Sequence, residues 1–170
     1  MRANGFTIVE LIASVVLLSL ISVTVMSRWF GTDSFRISAA SNQFISSARL
    51  AQRIALANSA VVIHLKITQV SGDWHYLVVE DDGGVITTLY TISVDADDIA
   101  ILITAGIGPG SLSASAALDA AFDALGNITD VHIGTSQGSV SGGVLVQFVG
   151  TIDRIVCISP LGFTHDGACL

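Results

Sequence analysis

The sequence predicts an α+β chain in which a long N-terminal helix, apolar in its first half and amphipathic in its second, packs on an antiparallel β-sheet head. Three observations predict it. An almost charge-free apolar run opens the chain, a stretch with helical spacing follows it, and strand-like runs separated by turn residues occupy the remainder. At 170 residues the chain is long enough for one long helix and one compact head, but not for two full domains. Its composition, 51% hydrophobic and 12% charged with a mean hydropathy of +0.72, points to one concentrated apolar segment.

That segment is N-terminal. Residues Leu11 to Ser27 carry no charge, and Phe6 to Ser27 are interrupted by Glu10 alone. As a helix this stretch runs roughly 33 Å, about one bilayer core, so residues 6–28 are expected to form a single transmembrane or filament-core half-helix. Residues 29–58 continue it, with a bend expected at Gly31. From Ile37 the apolar positions recur as Ile37, Ala40, Phe44, Ala48, Ala51 and Ala55, in steps of three or four, while Arg36, Arg49 and Arg53 take more polar sides. Asn58 suits a C-terminal cap. A continuous helix from Thr7 to Asn58 would span roughly 78 Å, more than a globule of this size can bury.

Residues 59–170 read as the head. Strand runs are expected at Val61–Gln69, Trp74–Glu80, Val85–Ile92, Ile99–Ile103, Leu145–Gly150 and Arg154–Ser159, with a hairpin turn at Asp81-Asp82-Gly83-Gly84 and another turn at Gly126-Asn127. Between residues 104 and 143 the pattern is least legible; Ser113 to Ala124 reads as a short helix or a loop. Trp74, Tyr76 and Tyr90 are expected in the core.

Charge divides along the chain. Residues 1–58 hold five Arg against Glu10 and Asp33, a net of +3, whereas residues 59–170 hold Lys66 and Arg154 against twelve acids, a net of −10. Nucleic-acid affinity comes mainly from basic groups that displace counterions, so no nucleic-acid partner is expected. Cys157 and Cys169 are the only cysteines and close a short C-terminal loop. In an oxidising compartment they would form a structural disulfide, with free thiols as the alternative, and their spacing fits no zinc pattern.

Glu10 carries the most chemistry. A carboxylate in an apolar span is costly without a countercharge, and downstream the first basic residue is Arg28, about 27 Å away along a helix. Cleavage after Gly5 would create a cationic amine on Phe6, four residues before Glu10. A neighbouring copy shifted slightly along the axis could then bring its amine to this carboxylate.

The residues Gly5-Phe6-Thr7-Ile8-Val9-Glu10-Leu11-Ile12, after the short leader Met1-Arg2-Ala3-Asn4, resemble the type IV prepilin signature of pilins and type II secretion pseudopilins. The resemblance implies removal of residues 1–5 by a prepilin peptidase, N-methylation of Phe6, and a role for Glu10 in assembly. It further implies partners in other pilin subunits through their N-terminal helices, in the inner membrane before assembly, and in an inner-membrane assembly platform. The protein would then sit as a single-pass inner-membrane protein with a periplasmic head and later in a pilus or pseudopilus. A secretory signal peptide or an uncleaved anchor is the alternative, but a signal peptide keeps charge out of its apolar region and ends in an A-x-A-like site, and neither holds here.

Two further stretches refine the resemblance. Ser47-Ala48-Arg49-Leu50-Ala51-Gln52 through Asn58-Ser59 to Val61-Val62-Ile63-His64-Leu65 is similar to the helix-to-first-strand junction of minor pilins and minor pseudopilins. Cys157 through His165 to Cys169 is similar to the disulfide-closed tail of minor subunits of the mannose-sensitive haemagglutinin pilus, implying a minor pilin of an adhesive pilus. Unlike many major pilins, the chain has no proline before Pro109.

Enzyme motifs are weak. Gly134-Thr135-Ser136-Gln137-Gly138 matches the nucleophile elbow, yet Ser139-Val140-Ser141-Gly142-Gly143 is a poor helix start, so a polar surface loop is expected. The cluster Gly106, Gly108, Pro109 and Gly110 lacks the Lys of a phosphate loop. Asp95-Ala96-Asp97-Asp98 and Glu80-Asp81-Asp82 lack the spaced ladder of a calcium loop, and His64, His75, His132 and His165 are scattered. No catalytic residue, metal site or cofactor is expected. The rival from another class is a membrane-tethered enzyme or receptor whose working part is residues 59–170.

Overall fold

Apolar residues at helical spacing and β-branched residues in alternation sort this chain into two helices and eleven strands among the described residues. A computed structural model describes residues 8–29, 32–95, 99–105, 109–111 and 117–169; for residues 20–29, 32–33 and 109–111 it describes the backbone alone. The chain divides into two compact units, Met1–Thr32 and Asp33–Leu170.

The first unit contains α1, Ile8–Trp29. The second begins its regular structure with α2, Thr32–Ala57. The expected single long helix from Thr7 to Asn58 is therefore not present. Its sequence is divided between two helices, and the physical reason lies around Gly31. Glycine costs about 1 kcal/mol in a helix interior, and the polar Thr32-Asp33-Ser34 that follows it is a favourable run for starting a new helix. Gly31 itself lies outside the described residues.

The expected membrane span is also overturned. Among the described residues no helix is long and apolar enough to cross a membrane. The transmembrane half-helix at residues 6–28 and the single-pass inner-membrane location that follows from it are thus not supported.

In the second unit α2 buries the face that its periodicity marks. Ile37, Ala40, Phe44, Ala48, Ala51 and Ala55 are all buried. Four of the six are alanines, so Ile37 and Phe44 supply most of the bulk of this face. Ser41 and Ser47 share the buried side because their hydroxyls donate to the carbonyls of Ser38 and Gln43, at 3.0 Å each.

Two antiparallel sheets meet this helix, where the sequence suggested one. The first has the order β3-β2-β1-β6-β7-β8, built from β1 (Val62–Val70), β2 (Asp73–Asp82), β3 (Val85–Asp95), β6 (Leu118–Phe122), β7 (Ile128–Ile133) and β8 (Ser136–Gly138). The second has the order β11-β10-β9-β4-β5, from β4 (Ala100–Thr104), β5 (Pro109–Ser111), β9 (Val144–Val149), β10 (Arg154–Ile158) and β11 (Thr164–Asp166). The chain visits the first sheet, the second, the first and the second again. Each return inserts a strand beside one laid down much earlier, as β6 does beside β1 and β9 beside β4.

Phe44 joins the layers. Its ring lies 5.7 Å from that of Tyr76 on β2 and 5.8 Å from that of Phe148 on β9, so one helical side chain touches both sheets. The indole of buried Trp74 donates to the Ile99 carbonyl at 3.0 Å, tying β2 to the approach to β4. The β2–β3 hairpin turns through Gly83 and Gly84, both at positive φ, as a two-residue loop of this hand requires. Asp81 tightens the turn by accepting the Gly84 amide at 2.7 Å.

The stretch Ser113 to Ala124, expected as a short helix or a loop, contains β6. The sequence Leu118-Asp119-Ala120-Ala121-Phe122 has no strong strand propensity of its own. It is extended because it pairs with β1 on one side and β7 on the other.

Candidate functional site: an apolar helix and the head surface

The residues predicted to undergo processing, Gly5 and Phe6, lie outside the described residues. Glu10 stands in the first turn of α1, where a carboxylate interacts favourably with the positive end of the helix dipole. It is exposed, and Ser14 donates its hydroxyl to the Glu10 main-chain carbonyl at 2.6 Å. From Ile8 to Leu18 every large apolar side chain is more than half exposed, with Ile8 at 78% and Val9 at 75%. At about 100° per residue seven of these eight positions fall within one half of the circumference, while Leu17 lies opposite beside Glu10 and Ser14. The helix thus presents a broad apolar side to water.

Cys157, on β10, is joined to Cys169 by a disulfide, with Cα atoms 5.2 Å apart. The bridge closes the C-terminal segment over the end of the second sheet. The same segment is held to α2 by long-range hydrogen bonds that nothing in the local sequence signals. Arg49 donates through Nε and Nη2 to the Thr164 carbonyl at 3.3 and 3.1 Å, and Gln52 donates through Nε2 to the carbonyls of Leu161 and Gly126 at 3.0 and 3.4 Å. Gly162 permits this approach. It has φ +78°, and a Cβ there would fall 1.9 Å from the Gly126 carbonyl oxygen. Arg49, Gln52, Arg53, Phe163 and Thr164 line an open cavity of about 510 Å³.

The remaining candidate residues fall apart as a chemical site. Ser136 lies on the three-residue β8, just after the hairpin loop Gly134-Thr135, whereas a nucleophile elbow needs a strand leading into a helix. His64 and Lys66 on β1 both contact Asp119 on β6: His64 Nδ1 is 2.6 Å from Oδ1, and Lys66 Nζ donates to Oδ2 at 2.9 Å. Partial burial alone would raise the Asp119 carboxyl, but hydrogen bonds and charge from His64 and Lys66 outweigh it and hold the group below its ordinary value. His132 pairs with Asp130, whose carboxyl is held low first by the Gln137 amide and then by His132. His165, on β11 opposite Cys157, has its Nδ1 3.1 Å from the neighbouring Asp166 carbonyl oxygen.

Of the acidic turns, Asp81 caps its hairpin and Asp95 pairs with Arg36, while Asp97 and Asp98 lie outside the described residues. Among the described residues no group of His, Cys, Asp or Glu is placed to hold a metal ion. Trp74 and Tyr76 are core residues and Tyr90 is half-buried against them.

Among the described residues the notable surface is the exposed apolar run Ile8 to Leu18 on α1, and the second unit has its tail braced by a disulfide. No protein-family model, curated protein or solved structure matches this chain.

Proposed function

We propose that the protein is a structural subunit of the type IV pilin class, a minor pilin, cut between Gly5 and Phe6 by a prepilin peptidase and assembled through α1 with other subunits of its kind. The observation that carries this proposal is the exposure of every large apolar side chain from Ile8 to Leu18, on a helix that begins just after the prepilin-like Gly5-Phe6 pair. Apolar area left in water costs about 25 cal/mol per Å² relative to burial, so packing α1 against copies of itself gives assembly its driving force. Cleavage supplies the amine of Phe6, and the Glu10 carboxylate of a neighbouring copy is its counterpart, which sets the axial stagger between subunits.

The Cys157–Cys169 bridge supports a minor pilin in preference to a pseudopilin, because it closes the tail whose sequence is similar to that of minor pilus subunits. The work of the chain is then association rather than turnover.

The test is to recover the native protein from cells that express a prepilin peptidase and to determine its N-terminus by mass spectrometry. The expected terminus is a methylated Phe6. Incorporation into filaments should fall at least tenfold in Glu10→Ala while the head remains folded. A working protein that keeps residues 1–5, or a Glu10→Ala variant that assembles as well as wild type, would refute the proposal.

A further inference from the structure

The four edges of the two sheets are not alike. Among the described residues β8, β5 and β11 have three residues each, whereas β3 has eleven. Natural sheets protect long edges with lysines, prolines or covering segments. From Val85 to Val94 the edge strand has no charged residue and no proline. Val85, Ile86 and Leu89 are exposed large apolar side chains on it, and among the described residues no strand pairs with its outer side.

The sequence of this edge is close to self-complementary. Laid antiparallel on a second copy about its centre, Val85 faces Val94, Ile86 faces Ser93, Thr87 faces Ile92, Thr88 faces Thr91 and Leu89 faces Tyr90. No charge meets a charge.

The irregularity in β3 makes this register sterically consistent. On β2, Val79 is opposite Thr88 and Val78 is opposite Tyr90, so Leu89 is an extra residue and the alternation of faces changes phase there. Val85 and Thr87 consequently share a face with Tyr90, Ile92 and Val94, and Ile86 and Thr88 share the other with Thr91 and Ser93. Four of the five pairs in the self-register therefore join residues of one face, as a two-fold axis normal to the sheet demands, and Leu89 with Tyr90 lies next to the axis. In a regular strand the same register would set opposite faces against each other.

We infer that two copies of the chain join β3 to β3, antiparallel about this axis, and extend the six-stranded sheet from one head into the next. The pairing stands on the head alone. Only its consequence, lateral linkage between subunits of neighbouring filaments, rests on the filament proposal.

The full chain in non-ionic detergent, which covers the apolar side chains of α1, is expected to show a monomer–dimer equilibrium in sedimentation. T88K/T91K sets ammonium against ammonium at two places across the axis and is expected to weaken dimerisation roughly tenfold or more, whereas T88K/T91E sets ammonium against carboxylate and returns it to within about threefold of wild type. As a measurement independent of charge, oxidation of an equimolar mixture of T88C and T91C chains should give a covalent dimer of one chain of each kind. Each chain then carries one of the two new thiols, so no bridge between positions 88 and 91 can form within a chain. A wild type that stays monomeric, a T88K/T91E protein as weak as T88K/T91K, undiminished association in T88K/T91K, or no covalent dimer would each overturn the inference. Glu10→Ala leaves this dimer intact if β3 makes it, so failure here and failure of the filament proposal are separately visible.

Discussion

Replacing Phe44 by alanine tests the claim that one side chain of α2 holds both sheets. Its ring is fully buried and lies against Tyr76 of one sheet and Phe148 of the other. Deleting a buried phenylalanine costs about 3–5 kcal/mol, a figure that includes the cavity and the lost ring contacts. Alanine is the better helix former by roughly 0.5 kcal/mol, so a helix standing by itself would be stabilised by the same change. The two explanations thus predict opposite signs. The net expectation is a loss of about 3–4 kcal/mol, a large fraction of the roughly 5–15 kcal/mol that holds an ordinary domain together. Urea titration followed by circular dichroism should show the midpoint falling by about 2 M with little change in slope. Phe35→Ala on the same helix is the control, since Phe35 is 76% exposed and its removal should cost no more than about 0.5 kcal/mol. A Phe44→Ala loss below about 1 kcal/mol, or one equal to that of Phe35→Ala, would refute the placement of the core.

Other expectations concern polar and covalent ties. Asp119 has its carboxyl lowered in the folded protein, so it contributes stability that is present above the ordinary carboxylate range and is lost as pH falls towards the depressed folded value. Asp119→Asn should therefore reduce the urea midpoint at neutral pH and flatten its decline between about pH 4 and lower values; an unchanged acid slope would count against the His64–Asp119–Lys66 cluster. Burial raises the Tyr76 phenol, and among the described residues its hydroxyl has no hydrogen-bond partner, so Tyr76→Phe should be neutral or stabilising by up to about 1–2 kcal/mol in thermal melts. Paired Cys157→Ser and Cys169→Ser should lower stability by about 2–4 kcal/mol, visible as a matching drop when the wild type is reduced; no drop on reduction would mean that the loop is held by the Arg49 and Gln52 bonds instead.

The sequence by itself determined what depends on neighbours a few residues apart. The buried face from Ile37 to Ala55 follows from helical spacing, the β2–β3 turn from Asp81-Asp82-Gly83-Gly84, and the Gly126-Asn127 turn from a glycine that takes φ +77°. The prepilin-like motif is also purely local, and it remains the ground for the proposed processing at Gly5 and Phe6.

Features set by distant partners came from the folded chain. Leu118 to Phe122 is a strand because β1 and β7 flank it, although its own alanines lean towards helix. The division into two sheets follows from strands inserting beside partners far back in the chain, which no local period records. The contacts of Arg49 with Thr164 and of Gln52 with Leu161 join residues more than a hundred positions apart, and the glycine that admits them, Gly162, resembles any loop glycine when read in sequence. The apolar opening of the chain was legible as apolar, but its division from the rest into a separate compact unit was not, because the hydrophobicity of a segment does not record which distant residues its side chains pack against.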